Sequence, residues 1–335
     1  MTSRIGVALV GSGNIAQSIH LPILAKMGGV SIEAIVDKQI AKARILAEKY
    51  KVPIVSRTLE EAVASAKIDA VIVTSTTDAH AENALAAIAA GKHVFIERPA
   101  ARTLEETLAI KNAARDADVN VMIGMNHRFR PDVVQLKNAV DRDEIGEVFY
   151  IKAGWVKQRS NDARWMANTD KSGGGVLMDL GVSVVDMILY TFNFGRVHSV
   201  IANTYKQQTR TVEDIVVAMM MFESGSVATI ETSWSLMRED DLFYCNVFGK
   251  RGSAYINPFK LVKRVGTSFQ TTAPKSMKTH LDVYRKSYED ELKHFISGVK
   301  GIIPVISTID DAVDRMRVID AMYASAEMKR EIVIT

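Results

Sequence analysis

Residues 11–16, GSGNIA, stand where a short apolar run, IGVALV, gives way to a helical stretch, and that arrangement suits one kind of chemistry, the holding of a phosphate. Gly11 permits a tight turn, Gly13 lets the backbone approach a pyrophosphate, and Ala16 is small where helix and strand must pack closely. Asn14 and Ile15 open the helix whose positive end would face the anion, so both belong to the expected cofactor contacts. Asp37 lies 21 positions beyond Ala16 (37 − 16), at the end of the second apolar run, where a carboxylate can bind ribose hydroxyls. A carboxylate repels a 2′-phosphate, so NAD is expected in preference to NADP, with Lys38 beside it leaving NADP open. The third run ends in TSTTDAH, which puts Ser75 and Thr76 at the carboxyl edge of a sheet, where ligands collect. Asp78 is expected to cap the next helix, and His80 is open between a ligand contact and packing against the loop. The fourth run, HVFIE, leads into Glu97-Arg98-Pro99. An arginine there can orient a hydroxyl or stabilise a developing oxyanion, but with a pKa above about 12 it cannot serve as a base.

These side chains need a scaffold, and the first 125 residues supply its pattern: short β-branched runs alternate with alanine-rich helical stretches. Continuous apolar strands are what a parallel sheet covered on both faces requires, so residues 1–125 read as a Rossmann-type, doubly wound α/β domain. From about residue 147 the strands EVFYIKAGWV, VHSVIANTY, DIVVAMMMF, SVATIETSW and LFYCNVFG follow one another, with ESGS and GKRGS as hairpin turns. Residues 126–335 therefore read as an antiparallel-sheet domain for substrate and oligomerisation, with a helix at about 179–192 and two closing helices. The second of these, about 308–330, is free to pack back on the first domain. Met219, Met220 and Met221 are expected in the sheet core or at an oligomer face, and an uncovered apolar sheet face predicts a homodimer or homotetramer.

Composition excludes several classes. The 42 basic and 39 acidic residues are evenly spread, leaving a net charge of +3 and no electrostatic case for nucleic acid. Cys245 is the single cysteine, which rules out an intramolecular disulfide and a cysteine metal cluster; no metal site is expected. No uninterrupted apolar run approaches the roughly 18 residues of a membrane span, and the amino terminus lacks a cleavable signal pattern, so a cytoplasmic protein without a membrane partner is expected.

Taken together, VGSGNIA, TSTTDAH, GKHVFIERP, NHRFRP and GGGVLMDLG closely resemble the Gfo/Idh/MocA oxidoreductases, in order and along nearly the whole chain. The resemblance implies a dinucleotide-binding Rossmann domain, an open-faced antiparallel sheet, a small sugar or polyol substrate, and NAD(P)-dependent oxidation of a hydroxyl. It also implies a Glu-Lys-Pro turn and an Asp-x-x-x-His motif whose histidine moves a proton. Glu97 and Pro99 match, but the lysine position holds Arg98; Asp179 matches, but the histidine position holds Ser183. On this resemblance Glu97 and Arg98 join the cofactor site, and Arg98, Asp179 and Ser183 form the catalytic set. Asp179, His127, Lys157 and Lys171 are the candidates for the missing base, with helix capping the plain alternative for Asp179 and a structural hydrogen bond to the linker that for His127. The polar stretch 158–175 falls at the substrate mouth by the same analogy, making Arg159, Arg164 and Trp165, with Lys157, candidate substrate contacts. Loss of both proton-handling groups leaves two alternatives beside the oxidoreductase: a lapsed NAD-binding sensor, or a lyase or hydrolase that recycles bound NAD.

Overall fold

The computed structural model describes residues 4–158, 164–274 and 280–334. They form two compact units: Met1–Met125 with Tyr288–Val313, and Asn126–Ser287 with Asp314–Thr335. The segment Tyr288–Val313, which the sequence pattern assigns to the second domain, is thus built into the first unit, and most of the last helix, Ile309–Met328, belongs to the second.

In the first unit β1 (Ile5–Val10), β2 (Val30–Val36), β3 (Ile54–Ser56), β4 (Ala70–Val73), β5 (His93–Ile96) and β6 (Val121–Ile123) make one sheet in the order β3-β2-β1-β4-β5-β6. All five pairings are parallel. Every residue of β1 and β4 is buried, the burial that strands covered on both faces must have. The chain order reverses between β1 and β4, so the carboxyl ends of these two strands flank the switch point at which open α/β sheets take their ligands. Asn126–Ser287 and its C-terminal partner segment carry the other sheet.

That sheet contains β7 (Val148–Val156), β8 (Val197–Tyr205), β9 (Ile215–Phe222), β10 (Val227–Ser233), β11 (Leu242–Gly249), β12 (Gly252–Tyr255), β13 (Lys260–Val265), β14 (Ser268–Thr272) and β15 (Ile332–Val333). Their order is β14-β13-β12-β11-β7-β10-β9-β8-β15. The sheet is mixed rather than purely antiparallel, because β7 and β10 run side by side in parallel and all the other pairs are antiparallel. The methionine run resolves by strand alternation: Met220 is fully buried, while Met219 and Met221 point to the other, partly open face. Thr169–Thr191 has the length and mean hydropathy, 1.5, of a membrane-crossing helix, but 89% of its most apolar window is buried inside the fold. Its interior includes Asp186, which accepts from Arg128 Nε at 2.9 Å and from Arg315 at 2.6 Å. Burial pushes that carboxyl upward, and the two guanidinium groups outweigh it and hold it below its ordinary range.

Candidate functional site

The nucleotide turn is built by backbone crowding on one side and open space on the other. Gly11 has φ +96°, and a Cβ there would lie 2.7 Å from both N and Cα of Ser75. Thr74, 5% exposed, donates its hydroxyl to Val10 O at 2.9 Å and Gly11 O at 2.8 Å, fastening the end of β4 to the turn. A Cβ on Gly13, by contrast, would meet no atom within 4 Å, so no protein neighbour demands glycine at that position. Helix follows at once, with Gln17 N donating to Gly13 O, and its first N–H groups are orphaned by helix geometry. Ser12 is buried and its Oγ has no partner. Asp37 is held in place: Oδ2 accepts from Ser12 N at 2.7 Å and Oδ1 from Gln39 N at 2.6 Å. Room above Gly13, free N–H groups, an orphaned hydroxyl and a fixed carboxylate with unused lone pairs fit a dinucleotide. Asn14 is exposed and Ile15 half-buried at the helix start, and Ser75 and Thr76 are half-buried at the edge of the same turn.

Glu97 and His80 both make hydrogen bonds within the fold, and for His80 these fit the packing alternative that the sequence leaves open. The Glu97 carboxylate is turned inward, with Oε1 2.6 Å from Nε2 of His20, which is 0% exposed. Burial raises the Glu97 pKa, and the His20 contact together with the charge and N–H of Arg98 overcomes this and lowers it. His20 therefore ties the helix of the glycine turn to the Glu97-Arg98-Pro99 segment. His80 has Nδ1 2.8 Å from Pro99 O and Nε2 3.0 Å from Ser75 O, so the ring lies between two loops and, when neutral, donates to one of the two carbonyls. Burial depresses its pKa against those carbonyls. Arg98 is half-buried directly after β5.

In the second unit the glycine run 173–175 is explained by close approach. A Cβ on Gly174 would fall 2.0 Å from the Tyr323 hydroxyl, and one on Gly175 would fall 2.0 Å from Glu213 O. The buried Glu213 carboxylate accepts from Gly175 N at 2.9 Å, Leu177 N at 3.0 Å and Tyr323 OH at 2.9 Å. Burial lifts the Glu213 pKa by more than these donors lower it, and burial beside that acid pushes Tyr323 well up as well. The pinned backbone enters a π turn, Leu177–Gly181, that carries Asp179, and continues as helix Val182–Thr191. A π turn also follows the nucleotide loop, at Ala16–His20; such wide turns recur at functional sites. Asp179 does not cap the helix; its Oδ2 accepts the Trp234 indole N–H at 3.0 Å. Ser183 is 1% exposed and its Oγ meets no hydrogen-bond partner.

The remaining candidates scatter. His127 is buried, stacked on Phe243 with centroids 4.2 Å apart and edge-on to Trp155 at 4.8 Å. Lys157 is exposed and lies 3.5 Å from Asp241, Lys171 is exposed, and Trp165 is half-buried in the short helix Arg164–Ala167. Arg159 lies outside the described residues. Sequence reasoning missed His20, Thr74, Glu213, Trp234 and Tyr323; only the adjacent acids Glu213-Asp214, opening an otherwise apolar strand, offered a signal.

Residues 5–125 match the profile of an oxidoreductase family with an NAD-binding Rossmann fold, and residues 137–334 match the C-terminal α/β domain of the same family. The chain belongs to the Gfo/Idh/MocA oxidoreductase family. It is 26% identical to the D-glucoside 3-dehydrogenase of Escherichia coli (strain K12), over 97% of this chain and 96% of that protein. It is 28% identical to the myo-inositol 2-dehydrogenase of Thermotoga maritima, over 98% of each chain. The structure of levoglucosan dehydrogenase with NADH and levoglucosan superposes with a TM-score of 0.89 at 21% identity, covering 99% of this chain and 100% of that one, and so shares the fold. The chain is thus an NAD(P)-dependent oxidoreductase whose first unit is an NAD-binding Rossmann domain, in a family of sugar and polyol oxidoreductases.

Proposed function

We propose that this oxidoreductase takes hydride from a secondary hydroxyl of a sugar or polyol and uses NAD rather than NADP. The observation that carries the reading is the half-buried Asp179 carboxylate, held by Trp234 on a glycine-pinned π turn. Relatives named for glucoside and inositol oxidation support the substrate class. Bound NAD supplies the hydride acceptor. Asp179 is the proton acceptor for the hydroxyl in this reading. Arg98, half-buried directly after β5 in the nucleotide-binding unit, is a fixed cation that can stabilise developing negative charge without titrating. Ser183 keeps a hydrogen-bonding group at the family's histidine position but accepts no proton near neutrality. Asp37 binds the ribose hydroxyls with lone pairs not taken by Ser12 N and Gln39 N, and disfavours a 2′-phosphate. Lys157, Arg164 and Trp165 border the substrate. A homodimer or homotetramer built through the open sheet face, in the cytoplasm, completes the proposal.

The test is NADH formation from inositol, glucose, gluconate-type and glucoside substrates across pH 6 to 10. Asp179→Asn should lower kcat roughly 10²- to 10⁴-fold, the usual worth of general base help, while NAD affinity by calorimetry stays unchanged. Undiminished turnover in that variant would remove Asp179 as the base. NAD binding without turnover of any of these substrates would favour the lapsed, NAD-binding sensor.

A further inference from the structure

Gln158 beyond β7, Gln208 and Thr209 beyond β8, and Trp234 to Met237 beyond β10 line a cavity of about 510 Å³ within the second unit. That volume falls in the range of roughly 300–1,000 Å³ typical of small-molecule sites. Two of its walls are constructed rather than loose. Asp214, 0% exposed, accepts from the backbone N–H groups of Gln207, Gln208 and Thr209 at 2.9, 2.6 and 2.8 Å, which fixes the turn that presents Gln208 and Thr209. Burial pushes the Asp214 pKa up, and those three donors outweigh it and keep the group an anion. Opposite, Ser233 Oγ accepts from Ser235 N at 2.9 Å and Leu236 N at 2.8 Å, closing the turn after β10.

Trp234 belongs to both this cavity and the candidate catalytic carboxylate. Its atoms form part of the wall, and its indole N–H meets Asp179 at 3.0 Å. The lining chemistry selects among ligands. The Gln158 and Gln208 amides can donate as well as accept, the Thr209 hydroxyl is turned back to Val212 O and keeps only its acceptor capacity, and the indole, Leu236 and Met237 offer apolar surface to C–H groups. No lysine or arginine is among the described lining residues, and the one ionised group is the Asp214 carboxylate. A neutral ring bearing hydroxyls on its edge and C–H groups on its faces finds both kinds of partner among these residues.

We propose that this cavity is a subsite for a second, neutral, hydroxyl-rich ring, so that the substrate is a glycoside with a ring-sized substituent rather than a single-ring polyol. The proposal rests on the reading of Asp179 as the group that faces the reacting ring. It is tested by calorimetry on the full chain held with NADH, using methyl β-glucoside and cellobiose as probes. Cellobiose should bind at least tenfold more tightly than methyl β-glucoside. Leu236→Trp, which brings a large ring in from a position that is 36% exposed, and Gln208→Ala, which removes one amide, should each bring the two affinities together. Equal affinities in the parent, or a preference that survives both substitutions, would overturn the subsite while leaving the oxidoreductase reading intact. Binding of NADH with no binding of either sugar would overturn the sugar reading of the Asp179 site and the subsite with it.

Discussion

Gly11 and Gly13, two residues apart, should respond to the same substitution in opposite ways, which separates the fold from the cofactor within one turn. At Gly11 alanine meets φ +96° and a Cβ placed 2.7 Å from two backbone atoms of Ser75, which Thr74 fastens in place. The left-handed backbone costs about 1–2 kcal/mol and the crowding a further ~1–3 kcal/mol. At about 2–4 °C per kcal/mol for a chain of this size, the melting temperature should fall by several degrees or more. At Gly13 there is no atom within 4 Å of the added methyl and no left-handed φ, so alanine should leave the apo protein as stable as before or about 0.4–1 kcal/mol more stable. Its effect belongs to the ligand. If the methyl weakens NAD tenfold, then at a concentration 100 times the parent Kd the stabilisation by NAD drops from about 2.7 to about 1.4 kcal/mol. Thermal melts with and without NAD read both quantities on one sample. A Gly13→Ala protein that keeps its full NAD-induced shift would refute the placement of the pyrophosphate, and a Gly11→Ala protein of unchanged stability would refute the packing argument.

Four further outcomes are expected. Calorimetry should show NAD binding more tightly than NADP, and Asp37→Ala should narrow the difference; tighter NADP in the parent would mean that Lys38 decides. Because folding favours the protonated form of Glu213, its contribution to stability is full below the ordinary carboxylate range and is lost as pH rises through its raised value, so Glu213→Gln should flatten the pH dependence of the melting temperature in that window. Ser183→Ala, which removes a buried hydroxyl without a partner, should cost no stability, whereas Ser183→His should cost about 1–3 kcal/mol by overpacking; equal melts for the two would contradict the buried placement. Light scattering should give a dimer or tetramer, since Ile201 and Val217 on the open face of the second sheet are 38% and 50% exposed, and a clean monomer would refute assembly through that face.

What the sequence displayed and what it hid divide along separation in the chain. β1, β2, β4, β5 and β6 were readable because each carries a run of consecutive buried apolar residues, and the glycine turn was readable because a tight turn into a helix is a local demand. β3 is three residues long, and KLVKRV in β13 mixes charge with apolar residues, so neither announces a strand. The parallel neighbourhood of β7 and β10 is a long-range pairing that no local pattern encodes. Partners of the candidate site were hidden for the same reason: His20 and Glu97 are 77 positions apart, Trp234 and Asp179 are 55, and Tyr323 and Glu213 are 110. The glycines at 174 and 175 were visible as residues, but the tyrosine and glutamate that require them were not.

The two departures from the family's pattern, Arg98 and Ser183, do not stand on the same footing once their surroundings are known. Arg98 is half-buried after β5, beside a Glu97 that His20 and the charge and N–H of Arg98 keep ionised, so a permanent cation sits in a setting built around a carboxylate. Ser183 is different. It is 1% exposed, beyond a π turn that leaves Asp179 half-buried four residues earlier, and its hydroxyl contacts no polar atom. An imidazole at this position would have to displace its neighbours to enter. Asp179, the base in the proposed mechanism, has its carboxylate oriented by an indole beyond another strand and its backbone pinned by a buried acid. Asp179→Glu, which keeps the carboxylate and moves it by one methylene, should retain more turnover than Asp179→Asn, and an equal loss in the two variants would place the base elsewhere.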